Sequence, residues 1–418
     1  MSIRFIMLAA SLVLAPAAVV GCGHDLPGPT GTSPGSVDGR TDRGVSELAL
    51  APSSLGWQQQ GRALVAANNL SPLAAARVYA ALSVAQYRAV MATDDPDRDG
   101  QLPANGLGIG GRSALEAHRG AVAGASAVVL SFFFPAAAGN LEQRVELEGA
   151  ATPGGVHPQF TRGLATGRSA GDALVERTRN DRFTARWTGT VPAGAGMWMA
   201  NGPPAGATFG GVVPYFLTSG DQFRPPPAPG FGSPAFLTDL DEIRTLASTR
   251  TPAQLASALY WNFPTGTFTP PGYWNLAAAN YIEEYALDER AATHAFALMH
   301  AAMMDALIGC WDAKYYYWTM RPSQADPLIA LTFGLPNHPS YPSGHSCASA
   351  AAAAVLSHLF PDRTTELDAW VTEAGLSRMY AGIHYRFDIA AGCDLGEAVA
   401  RWAIAHDQEP GLLAAVAR

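Results

Sequence analysis

Two histidines, three cations, a serine and a glycine in the last quarter of this 418-residue chain have the types and order needed to hold a small tetrahedral anion. Lys314 is separated by six residues from Arg321-Pro322, and Pro342-Ser343-Gly344-His345 follows. Ser377-Arg378 comes next, then His384 after five intervening residues, with Asp388 four residues beyond it. The Ser-Gly-His run lies between a Pro-rich turn and Ser346 to Phe360, an Ala-rich stretch that reads as a helix. A helix start offers unpaired amide N–H groups and the positive end of the dipole, and both favour an anion. Gly344 lets the backbone come close, and the Ser343 hydroxyl adds a donor. Lys314, Arg321 and Arg378 bring three charges whose donor geometry suits equatorial oxygens. His384 and Asp388, four apart on an expected helix, should share a face. The carboxylate would then fix one imidazole nitrogen and leave the other as a nucleophile or metal ligand. His345 remains as acid or base at the opposite apex. Each piece alone has a plainer reading: a solvated helix face, a helix-start turn, a structural His–Asp pair. The argument rests on the whole ordered set.

The elements that must position these residues read as helices almost throughout. The pattern predicts helices over 57–69, 71–91, 112–130, 141–150 and 158–180, then 237–248, 252–261, 273–286 and 290–309. Alternating strands are lacking, so the expected class is all-α. Residues 181–235 break the pattern with Gly202-Pro203-Pro204-Ala205-Gly206 and Arg224-Pro225-Pro226-Pro227. Trp187, Trp198, Phe209, Tyr215, Phe216 and Phe223 within that loop imply that it packs over something, as a lid or pocket wall. The expected organisation is a leader (1–21), a Gly/Pro/Ser-rich tether (22–55), one helical domain (56–408) and a tail (409–418). Within the domain, 56–290 is an amino-terminal helical part and 291–408 carries the anion site.

Composition sets limits on function. Apolar residues make up 48% and charged residues 15%, enough to bury a sizeable core. The formal charge is −8 without any cluster of Lys or Arg, which argues against nucleic-acid binding. Cys310, Cys347 and Cys393 read as small buried apolar residues. At the amino terminus Arg4 precedes the apolar run Phe5–Val20, which leads to Val19-Val20-Gly21-Cys22. This resembles the lipobox of bacterial lipoproteins, in which the cysteine is lipidated and anchors the protein to a membrane surface. An ordinary secretory leader cut near Ala15 to Ala18 is the alternative, and both readings put the protein outside the cytoplasm. No mature segment reads as a clean membrane span; the nearest is 120–138, which Pro135 interrupts.

The ordered set resembles the signature of the vanadium-dependent haloperoxidase and type 2 phosphatidic acid phosphatase superfamily. Two further runs, Ser219-Gly220-Asp221-Gln222-Phe223-Arg224-Pro225 and Cys310-Trp311-Asp312-Ala313-Lys314-Tyr315, resemble its bacterial haloperoxidase-like branch. The resemblance implies a helix-bundle fold and two chemistries on one site. In the first, His384 ligates vanadate. Lys314, Arg321, Ser343, Gly344 and Arg378 hold its equatorial oxygens, His345 contacts the apical one, and hydrogen peroxide oxidises halide. In the second, His384 attacks a phosphomonoester and His345 protonates the leaving group. His338 and Trp311 match halide-pocket positions of haloperoxidases; a rim histidine and a core tryptophan are their plainer readings. The resemblance also leaves room for a homodimer. A third reading, a non-catalytic oxyanion-binding lipoprotein, needs the cations but neither His345 nor Asp388.

Overall fold

The computed structural model describes residues 51–94, 109–151 and 155–407. The leader, most of the tether, Cys22 and the tail lie outside the described residues. Five helices form the amino-terminal part: α1 (Ser53–Ala67), α2 (Pro72–Thr93), α3 (Ile109–Phe133), α4 (Ala138–Ala150) and α5 (Pro158–Arg179). The proline starts are local chemistry. Pro72 sits behind the Ser71 cap, whose hydroxyl accepts from Ala74 N, and Pro158 follows the cap His157. The closest pairing is α3 on α5. A Cβ added at Gly120 or Gly124 would fall within 2.4 Å of the carbonyls of Phe160 or Leu164. Small residues thus let the two backbones touch.

The carboxy-terminal part contains α6 (Pro234–Thr249), α7 (Pro252–Tyr260), α8 (Thr269–Glu284), α9 (Glu289–Tyr317), α10 (Pro322–Ala325), α11 (Gly344–Leu359), α12 (Thr364–Tyr380) and α13 (Arg386–His406). Helix α9 is the central element, packed against α2, α11 and α13. One apolar cluster runs from Trp57 to Ala403 and joins both parts. Among the described residues no strand forms beyond isolated bridges, Met197 with Thr319 and Thr265 with Thr267. The fold class is all-α, as expected.

Two sequence expectations are corrected. Helix α9 does not stop at Gly309 but continues two turns to Tyr317, and these turns carry Trp311, Asp312 and Lys314. Gly309 is an interior glycine at a close approach, since a Cβ there would meet the Gly220 carbonyl at 3.3 Å. By length and composition α9, rather than 120–138, comes nearest to a membrane span among the described residues. In this fold 89% of its apolar window is buried by the surrounding helices.

Candidate oxyanion site

All of the predicted anion-site residues converge between the end of α9, the turn 338–343, the start of α11, the end of α12 and the start of α13. Lys314 and Arg321 are 0% exposed and Arg378 is 1% exposed, so the cations point inward. Burial is the main cause of their weakened basicity: Lys314 is lowered to about 8, Arg321 to about 10 and Arg378 to about 9. Three charges held this deep against the single carboxylate of Asp388 favour an anion between them.

His384 is not on the helix with Asp388, as the spacing suggested. It lies just before α13, whose cap is Tyr385, and Asp388 sits in the first turn. The pair still forms, because Asp388 reaches back over the helix start. Its Oδ2 accepts from His384 Nδ1 at 2.8 Å, Tyr385 N at 3.1 Å and Ser340 Oγ at 2.6 Å. Asp388 Oδ1 is buried without a partner among the described residues. Burial raises this carboxyl to about 6 against the opposing pull of Ser340, Lys314 and Arg321. On the other edge of the ring, Arg321 Nη1 stands 3.1 Å from His384 Nε2. Arginine can only donate and a carboxylate can only accept, so Nδ1 bears the proton and Nε2 the lone pair. Burial, followed by Arg321 and Lys314, holds His384 well below its usual range. That is the state a nucleophile or metal ligand requires.

Ser343 caps α11. Its hydroxyl accepts from Ser346 N at 3.4 Å and keeps its own hydrogen to donate. The amides of Gly344 and His345 have no acceptor among the described residues. Gly344 has a second reason to be glycine, since a Cβ would meet the Trp311 ring at 3.0 Å. His345 donates its Nε2–H to the Trp261 carbonyl at 2.8 Å. Desolvation, with Arg378 adding to it, lowers this imidazole to about 3. The two imidazoles are close enough for His345 to influence the titration of His384.

Lys314 departs from the expectation that it faces the anion directly. Its ammonium donates to the carbonyls of Pro339 (3.0 Å), Ser340 (2.7 Å) and Pro342, so three acceptors meet three donors. Here it organises the turn that precedes Ser343. Arg321 likewise binds the carbonyls of His338 (3.1 Å) and Ile383 (2.7 Å), while Arg378 donates to Ala258 O at 2.7 Å.

Trp311 and His338 come together at the edge of the site, with ring centroids 5.1 Å apart, and Arg321 Nη2 lies 3.1 Å from His338 Nδ1. Residues 181–233 wrap this edge. Trp311 Nε1 donates to Ala205 O at 3.3 Å, and Phe209 packs edge-on to Trp311. Arg224 makes a two-pronged ion pair with Asp312 at 2.6 and 3.0 Å, so the two runs singled out in the sequence meet in space. Asp305, buried in α9, accepts the amides of Tyr215 (2.7 Å), Phe216 (2.6 Å) and Leu217 (3.0 Å). The sequence analysis passed over Ser340 and Asp305. A charged residue inside the apolar run of α9 was the available signal for Asp305.

Among the described residues no group of three or more His, Cys, Asp or Glu gathers as a divalent cation would need. One imidazole lone pair amid buried cations and unpaired helix amides suits an oxyanion instead, and vanadate fits that donor set. Cys310, Cys347 and Cys393 are free and buried.

The architecture is that of the helical haloperoxidases. It is similar to a bacterial vanadium-dependent iodoperoxidase (TM-score 0.70, 23% identity, 85% of this chain and 96% of that one). It is also similar to a bacterial vanadium-dependent chloroperoxidase in its apo form (TM-score 0.65, 14% identity, 84% and 95%). At these identities the likeness is one of fold. In sequence, 91 residues are 39% identical to a non-specific acid phosphatase of Salmonella typhi and 38% to that of Salmonella typhimurium. Those stretches cover 20% of this chain and 36% of each relative, so the chain spans about a third of the curated relatives it matches. Residues 291–409 match the PAP2 superfamily model, so that part of the chain is similar to the superfamily.

Proposed function

We propose that this protein binds vanadate at the His384 site and oxidises halide with hydrogen peroxide. The observation that carries the reading is the His384 lone pair, held on Nε2 by Asp388 and surrounded by three buried cations, with the Trp311–His338 pair at its edge. In this reading His384 Nε2 anchors the vanadium. Arg321, Arg378, the Ser343 hydroxyl and the Gly344 amide hold the oxygens, while Lys314 fixes the turn and lends its charge. Vanadate bound there supplies a Lewis acid that activates peroxide toward halide. His345 takes up or returns the peroxide proton, and Trp311 with His338 forms the wall that halide approaches.

A second reading is favoured by the 39% identity to acid phosphatases. Here His384 Nε2 forms a bond to phosphorus as the ester P–O bond breaks, and His345 gives its proton to the departing alkoxide. Water then frees the phosphate. An anion between the imidazoles raises their basicity, which His345 needs in either scheme.

The deciding experiment assays one preparation for vanadate- and peroxide-dependent bromination or iodination of monochlorodimedone, and for p-nitrophenyl phosphate hydrolysis. Halogenation that requires vanadate supports the first reading. Hydrolysis without halogenation, abolished in His384→Ala, overturns it in favour of the second. Binding without either activity leaves a non-catalytic oxyanion carrier. We further propose that the leader exports the protein and that Cys22 anchors it by lipidation; mass spectrometry of the mature amino terminus tests this.

A further inference from the structure

Helix α7 contributes no side chain to the predicted site, yet its last turn reaches into it. The Ala258 carbonyl accepts from Arg378 Nη2 at 2.7 Å, and the Trp261 carbonyl accepts from His345 Nε2 at 2.8 Å. The Trp261 bond does for His345 what Asp388 does for His384. It decides which nitrogen carries the proton and leaves Nδ1 with the lone pair. The Ala258 bond has the opposite consequence for binding, because it fills part of the guanidinium fork that an oxyanion would use.

Helix α7 itself is held modestly, while Trp261 just past it is buried in the main core. Ala258 packs with Tyr380, Ala381 and Ile383 in a small cluster apart from the main core. The outer face exposes Leu255 (40%) and Leu259 (51%) to solvent. Just beyond the helix, Phe263 and Thr269 take positive φ angles of 35° and 65°, which bulky and branched residues rarely adopt. Arg250 fastens the start of the helix to the Tyr380 carbonyl at 2.6 Å. Its end is fastened by Glu373 of α12, which accepts the Ser257 hydroxyl at 3.2 Å. The buried Trp261 indole N–H has no hydrogen-bond partner among the described residues.

We propose that Glu373 is a positioning residue for this site. By holding Ser257 it keeps the α7 carbonyls on His345 and Arg378. The contact orients His345 for proton transfer and competes with the anion for Arg378. The proposal rests on reading the cluster as an oxyanion site.

Inorganic phosphate and vanadate serve as the probes, titrated into the full-length native protein and into Glu373→Ala. The variant binds them about two- to tenfold more tightly, as expected when one neutral acceptor stops competing. Its turnover falls about tenfold, because His345 loses its fixed tautomer. Binding and turnover that weaken together would overturn the proposal, since that is what a merely structural residue would do. Ser257→Ala removes a single hydroxyl, and shifts both quantities in the same opposed directions by smaller factors. A readout independent of activity is the 15N spectrum of histidine-labelled protein. His345 shows the Nε2-protonated tautomer in the native chain and an averaged one in Glu373→Ala, while His384 keeps its Nδ1–H. An unchanged His345 signal overturns the latch even in an active enzyme. If the signal moves but native protein binds neither phosphate nor vanadate, the latch stands and the oxyanion reading fails.

Discussion

The two imidazoles of the site are held by unlike means. His384 is fixed by a carboxylate that belongs to the first turn of α13 and is tied in turn to Ser340 and the Tyr385 amide. Ser343 N also donates to the Asp388 carbonyl at 2.9 Å, which joins α11 and α13 at the same point. His345 is fixed by the backbone carbonyl of Trp261, just past a nine-residue helix whose Ala258 lies in a satellite cluster, while the Trp261 ring is buried in the main core. His384 is buried, whereas His345, Gly344 and His338 are only partly covered. One pole is therefore sealed within the fold and held by a carboxylate, and the other is partly open and held by a neutral carbonyl. A charged acceptor suits the sealed pole because its hydrogen bond is the stronger kind. A neutral acceptor suits a group that must exchange protons.

The comparison can be broken at several places, and the largest effect belongs to the sealed pole. His384→Ala should remove attachment of the oxyanion, with turnover down by about a thousandfold or more, read by activity and by vanadate or phosphate titration. His345→Ala should spare binding more than turnover. Equal loss of binding in both variants would erase the distinction between the poles. Asp388→Asn should lower turnover by about a hundredfold or more, because the amide lets His384 turn to the wrong tautomer. The 15N spectrum would show it, and an unchanged His384 signal would contradict the orienting role. Hydrogen exchange should show the amides of α7 opening well before those of α13, and equal protection would remove the difference in hold between the two poles.

Stability should also depend on pH in a way that separates two sets of buried groups. His300, lowered by burial to about 3, His345, lowered to about 3, and His384 stay neutral in the fold, whereas unfolded histidines protonate near 6.5. Their contribution is full above pH 6.5 and is lost as pH falls toward 3. Asp305, Asp388 and Glu289 work the other way. Burial raises them to about 6, 6 and 7, so their contribution is full below about pH 4 and is lost as pH rises through those values. Thermal unfolding should therefore be flatter between pH 4 and 6.5 in native protein than in Asp305→Asn, where the opposing carboxylate is gone. The smallest effect is expected at Gly344→Ala. The new methyl group presses the Trp311 ring, and a shift of about 1 kcal/mol in stability should accompany an altered preference among halides.

The residue types of the site, their order and the all-α class were legible in the sequence. So was the packing of residues 181–235, because a loop that rich in aromatics has to bury them. The helical placement of His384 was misread. Spacing by four describes a helix face, but it equally fits a residue just before a helix that meets the first turn. The end of α9 was misread at Gly309, where a glycine needed for close packing has the same letter as one that stops a helix.

The sequence by itself determined which side chains could carry charge, donate a proton or offer a lone pair, because those properties reside in the residue type. Tertiary structure alone decided what each of them is bonded to. The acceptors for Lys314, Arg378 and His345 are carbonyls of Pro339, Ser340, Pro342, Ala258 and Trp261. Every residue has a carbonyl, so its role leaves no mark in composition or spacing. It is set by where a helix ends and which way the packed core turns that end.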